Sequence, residues 1–124
     1  MTKTGGIGWL DLTVPNADNV RDFYASVCDW SPVEVSMGDY ADYTMAQADG
    51  TSVAGICHAR GVNADLPNVW LPYFVVEDLE VAAAKISASG GHIIETRHHE
   101  GKAVFCVAKD PSGAPFAVTL PVPE

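Results

Sequence analysis

Apolar and polar residues alternate singly over "IGWLDLTV" (7–14), which sets Trp9, Asp11 and Thr13 on one face and Leu10, Leu12 and Val14 on the other. Strand side chains point to opposite sides in turn, so this period of two predicts a strand with one apolar and one mixed face. The period then changes. In "PNADNVRDFYASVCDW" (15–30), Val20, Phe23, Tyr24 and Val27 follow the i, i+3, i+4, i+7 stripe of an amphipathic helix, with Asn16 placed to cap it. Phe23 and Tyr24 are therefore expected in the core. A second helix is predicted in "EDLEVAAAKISASGG" (77–91), with Asp78 as cap, Leu79, Ala82, Ala83 and Ile86 as its stripe, and Gly90-Gly91 as its left-handed stop. Strands are expected at 32–37, 42–48, 52–58, 69–76, 92–98, 103–109 and 115–120, with "ADG" (48–50) and "DPSG" (110–113) as tight turns.

The resulting order is β-α-β-β-β twice over, and the spacing repeats with it. Val14 and Val76 stand 62 residues apart, as do the two cap positions Asn16 and Asp78, and 62 is half the chain length of 124. Such self-similarity decides the architecture before any single residue does. The expected fold is α+β, one domain of two βαβββ modules forming a cupped mixed sheet. Module one spans about 6–60, a linker about 61–67, and module two about 68–121. Two such sheets curled around a shared concave space make a natural small-molecule pocket.

Composition narrows the partners. The formal net charge is −9, with 7 basic residues scattered along the chain, which argues against nucleic acid and against an anionic membrane surface. No apolar run approaches membrane-spanning length, and "MTKTGG" lacks the apolar stretch of a signal peptide, so a cytoplasmic protein is expected. Cys28, Cys57 and Cys106 are an odd set without C-x-x-C spacing, expected as free thiols in a reducing compartment. No glycine-rich phosphate loop or nucleophile elbow occurs.

The stretches "LDLTVPNADNVRDFY" with Trp30, "YFVVEDLEVAAAKISASGGHI" and "DPSGAPFAVTL" resemble the vicinal-oxygen-chelate superfamily, which includes glyoxalase I, bleomycin-resistance proteins and extradiol dioxygenases. The resemblance covers residues 7–121. It implies a metal held by four positions, two from each module, usually His or Gln, Glu, His and Glu. Carried onto this chain they fall on Trp9, Leu71, Ala117 and one of Ala54, Gly55 or Ile56. None of these side chains offers the imidazole, thiolate or carboxylate that Zn²⁺, Ni²⁺ or Fe²⁺ needs, so no metal and no other cofactor is expected there. A divalent metal at displaced ligands stays open as the alternative. The superfamily's habit of pairing chains, together with exposed strand edges, leads us to expect a homodimer.

The polar candidates follow from strand parity. Asp11 shares the face of Trp9 and would act as general base or as acceptor for a ligand hydroxyl or amine. His58 is the second catalytic candidate, an acid or base that could pair with Asp11. Whether it or Cys57 faces the cavity depends on the register of 52–58. Tyr73, which lies 62 residues beyond Asp11, would join Trp9, Leu71 and Ala117 in lining the pocket for a planar or aromatic ligand, with Tyr43 as a further wall. Arg60 and Asn63 lie in the loop between the modules, where Arg60 could close over a ligand. The cluster His98, His99 and Glu100 reads as a solvated hairpin end, because adjacent strand residues point apart. Two functions remain: a metal-free binding protein of the bleomycin-resistance kind, or a lyase or isomerase using Asp11 and His58.

Overall fold

The computed structural model describes residues 3–121. The elements run β1 (Ile7–Val14), α1 (Ala17–Cys28), β2 (Ser31–Ser36), β3 (Ala41–Ala46), β4 (Ser52–His58), a short 3₁₀ turn (Gly61–Asn63), β5 (Trp70–Val75), α2 (Leu79–Ala88), β6 (His92–His99), β7 (Lys102–Lys109) and β8 (Pro115–Thr119). This is the α+β class with the β-α-β-β-β order repeated. No described helix is long and apolar enough to cross a membrane. The chain forms two compact units, Leu10–Trp70 and a second from Leu71 onward that also takes in the start of β1.

In the first unit β1 runs parallel to β4, while β4, β3 and β2 are antiparallel neighbours. In the second unit β5 runs parallel to β8, and β8, β7 and β6 follow antiparallel. The half-chain repeat survives in the register itself. Asp11 pairs with Gly55 and Tyr73 pairs with Ala117, both members of the second pair lying 62 residues beyond those of the first.

Each sheet packs its helix on one face. In the first unit Leu12, Val14, Ala17, Tyr43, Met45 and Ile56 form the buried cluster, with Val20, Tyr24, Trp30 and Trp70 packed against it. Tyr24 stacks on Trp30, Trp70 meets both rings edge-on, and Trp70 Nε1 donates to the Tyr24 hydroxyl at 2.9 Å. That bond satisfies both polar tips in an otherwise apolar corner. The α1 stripe is narrower than its periodicity implied. Phe23 is 58% exposed and Val27 64%, so Tyr24 packs as expected but Phe23 does not join the core. A helix lying on a sheet buries one side only, and these two residues fall outside the buried side. Asn16 holds the N-cap position without a side-chain bond, whereas the Asp78 carboxylate accepts from the Val81 amide at 3.0 Å.

In the second unit Leu79, Cys106 and Val118 are buried, with Val76, Ala82, Ile86, Ile93 and Phe116 around them. The stop of α2 is a Schellman closure. Gly90 takes φ 90°, and the Gly91 amide donates back to the Ile86 carbonyl at 2.9 Å. A Cβ on Gly91 would stand 2.9 Å from the Lys109 carbonyl oxygen and 2.8 Å from Ile86 Cγ2, so only glycine lets α2 end this close to β7.

Candidate functional site

The register settles which side chains share a face. Residues opposite one another in a ladder point to the same side, so Asp11, Gly55, Thr44 and Val33 form one cross-strand row on the helix-free face of the first sheet. Thr13 and Cys57 stand in the next row. Of Ala54, Gly55 and Ile56, among which the resemblance left its fourth position open, Gly55 is the one on the Asp11 face. Ala54 and Ile56 point the other way and are fully buried under α1.

Cys57 thereby becomes the neighbour of Asp11. Its Sγ lies 3.7 and 3.9 Å from the two carboxylate oxygens and donates to them. Burial, then the negative charges of Asp11 and Asp42, push the thiol well above its ordinary range. A thiol held protonated is a hydrogen-bond donor and a poor nucleophile. Its effect is to fix the Asp11 carboxylate on the sheet face.

His58 is elsewhere. It pairs with Val14 across the ladder, so it lies on the face opposite Asp11, towards α1. The expected Asp11–His58 pairing is corrected accordingly: Cys57 and His58 are consecutive in β4, and consecutive strand residues point to opposite faces. His58 instead sits between two other carboxylates. Its Nδ1 is 3.2 Å from Asp42 Oδ1 and its Nε2 3.4 Å from Asp18 Oδ1, while its backbone amide donates to Asp42 Oδ1 at 2.8 Å. Asp18, in the first turn of α1, also accepts from the Tyr43 hydroxyl at 2.5 Å, a bond that raises the phenol above its usual range, with burial adding to it. The cluster ties the start of α1 to the ends of β3 and β4.

Tyr43 is likewise corrected as a pocket wall. It pairs with Ile56 on the helix side and is 6% exposed within the core cluster. Arg60 stacks its guanidinium 4.0 Å from the Tyr40 ring centre and reaches Asp39 at 3.7 Å, which braces the loop tip on which it lies. Tyr40 in turn meets the His58 ring edge-on at 5.4 Å. His99 and Glu100 are solvent-exposed at the β6–β7 turn, where the expected hairpin end lies.

The second unit repeats the row with different chemistry. Tyr73, Ala117, Val107 and Glu95 stand side by side, and Val75, Thr119, Phe105 and Arg97 form the next row. Tyr73 meets Phe105 edge-on at 5.5 Å, Arg97 lies 5.0 Å over the Phe105 ring, and Arg97 Nη2 donates to Glu95 at 2.9 Å. Leu71 and Ala117 are buried, and Trp9 is half-buried on β1.

Sequence reasoning missed Asp42, Cys57 as the Asp11 partner, and the Glu95–Arg97–Phe105 group. The register was available: subtracting the half-chain offset of 62 from Ala117 gives Gly55, and parity then puts Cys57 beside Asp11. Asp42 carried no such signal, because a single acid in "ADYTMA" reads as a surface strand position.

The metal positions implied by the resemblance fall on Trp9, Leu71, Ala117 and, by register, Gly55, and no side chain among them donates a lone pair to a cation. Among the described residues no group of three or more His, Cys, Asp and Glu could hold a metal ion. The residues present do not fit the family's metal.

Comparison with known proteins agrees with the fold. Residues 6–118 match the model of the Glyoxalase/Bleomycin resistance protein/Dioxygenase superfamily. The chain is 30% identical over its full length to 47% of a putative glyoxylase, CFP32, from Mycobacterium bovis. It is also 30% identical, over 92% of its length, to 46% of the anthracycline biosynthesis protein DauV from Streptomyces sp. strain C5. The chain thus spans about half the length of these curated relatives. Among solved structures, methylmalonyl-CoA epimerase from Mycobacterium tuberculosis superposes with a TM-score of 0.58 at 13% identity, covering 99% of this chain and 93% of that one. Hypothetical protein BH1468 from Bacillus halodurans gives a TM-score of 0.64 at 9% identity, with 98% of each chain covered.

Proposed function

The chain belongs to the Glyoxalase/Bleomycin resistance protein/Dioxygenase superfamily, and from that premise we propose that it binds a small planar or aromatic molecule on the sheet face carrying Asp11, with no cation at the family's metal positions. The observation that carries this reading is the Asp11–Gly55 register. It favours glycine, and not a donor, for the one metal position that the resemblance left open, and it sets a carboxylate one row from a thiol that donates to it. The relative named for anthracycline biosynthesis supports the ligand class, since anthracyclines are fused-ring aromatic compounds.

Asp11 then acts as the anchor. A carboxylate accepts from a ligand hydroxyl or amine, and a charge-assisted bond of this kind is about twice as strong as a neutral one. The Asp11–Gly55 and Val14–His58 pairs weigh against the alternative of a lyase or isomerase built on an Asp11–His58 unit. A titration of 2-naphthol into the protein, followed by calorimetry and tryptophan emission, tests the proposal. Asp11→Asn should weaken binding about tenfold while keeping the fold, because it removes charge and leaves shape. Equal affinity in the two proteins, or no saturable binding to either, would count against it.

A further inference from the structure

Two apolar grooves adjoin on the helix side of the second unit, one on each side of Phe116. The first, about 300 Å³, lies between the end of α2 and the β7–β8 turn and is lined by Ile86, Pro111 and Phe116 together with Lys85, Lys109 and the Asp110 carboxylate. The second, about 340 Å³, continues past Phe116 to Pro72, Phe74 and Pro115. Each reaches the lower size range of small-molecule pockets. Phe74 is 36% exposed and meets Phe116 at 6.0 Å, so the two grooves share an aromatic ridge.

The two lysines are out of character with the rest of the chain. A protein of net charge −9 with 7 basic residues sets two of them on one apolar groove. Among the described residues neither lysine has an ion-pair partner. The adjacent carboxylate does not serve them. Asp110 Oδ1 accepts from the Ser112 amide at 2.8 Å, the Ser112 hydroxyl and the Ala114 amide at 3.0 Å, and these bonds hold it below the usual carboxylate range. Lys85 also complements the negative end of the α2 dipole, but that accounts for neither Lys109 nor the groove. The Schellman closure engages the Ile86 carbonyl, which lessens the negative field an incoming anion would meet.

We propose that this surface binds an amphipathic anion, a medium-chain acyl carboxylate, with its head between Lys85 and Lys109 and its tail across Phe116 into the groove at Pro72 and Phe74. The site is separate from the Asp11 face, and its ligand does not depend on the reading given above. Lysine is suited to the head because its flexible stem can meet a carboxylate at the groove. The tail gains by apolar burial, about fourfold in affinity for each methylene covered.

Calorimetry with octanoate, hexanoate and 1-octanol, with amide resonances recorded in parallel, tests this. Octanoate should bind about fifteenfold more tightly than hexanoate and about tenfold more tightly than 1-octanol. It should shift the resonances of Ile86, Ser89 and Phe116. The double variant Lys85→Gln, Lys109→Gln should bind octanoate and octanol alike, whereas Lys85→Arg, Lys109→Arg should keep the preference. Asp11→Asn should leave it untouched. The proposal is overturned if the wild-type protein does not prefer octanoate, if the preference persists in the glutamine variant, if the shifts map elsewhere, or if no saturable binding occurs at millimolar concentration.

Discussion

Replacing Ile56 by alanine should destabilise the protein by about 2–5 kcal/mol, a large part of the roughly 5–15 kcal/mol that holds a domain of this size together. Ile56 is fully buried, pairs with Leu12 across the parallel ladder and with Tyr43 across the antiparallel one, and sits at the centre of the cluster under α1. Removing three carbon atoms there loses their transfer energy and leaves a cavity that two hydrogen-bonded neighbours prevent from closing. Urea unfolding should show the midpoint lowered with its slope unchanged. The same residue sets the alternation that aims Gly55 and Cys57 at the Asp11 face. A loss within about 0.5 kcal/mol would mean that β4 is not packed as described.

The second large effect belongs to Asp42. Its side chain is 8% exposed, and one oxygen accepts from the His58 amide and faces the His58 ring. Asp42→Ala leaves a part-buried backbone N–H without its acceptor and breaks a carboxylate–imidazole contact, an expected loss of about 3 kcal/mol. Asp42→Asn keeps an oxygen in place and should cost about 1 kcal/mol. The two variants separate the charge from the acceptor. If alanine and asparagine destabilise equally, the amide bond at 2.8 Å is not what Asp42 contributes. Because His58 also reaches Asp18, the alanine variant should loosen the first turn of α1, read as faster amide exchange there.

Asp42 and Cys57 show what could and could not be read from the chain. The elements and their repeat were legible because they rest on periodicity and spacing, which a strand or helix imposes on every residue it contains. The repeat even carried the register, since Ala117 in one half implies Gly55 in the other. The partners of individual polar groups were not legible in that way. The Asp11–His58 expectation joined an acid and a base on neighbouring strands, but the ladder sets His58 three positions beyond Gly55, the partner of Asp11, and an odd step puts the two on opposite faces. Tyr43 misled for the same reason. An aromatic in an alternating strand belongs to whichever side its neighbour across the ladder selects, and Ile56 selects the core. Phe23 failed differently: helical periodicity says which residues share a stripe but not how wide the opposing sheet is.

Whether this member of the superfamily holds its ligand without the family's cation is decided by titration of 2-naphthol before and after exhaustive chelation, with metal content measured on the same samples. Zinc, nickel and iron should be substoichiometric, with one binding isotherm that chelation leaves unchanged and Asp11→Asn weakens. Stoichiometric metal, together with binding that chelation abolishes and a divalent cation restores, would contradict it.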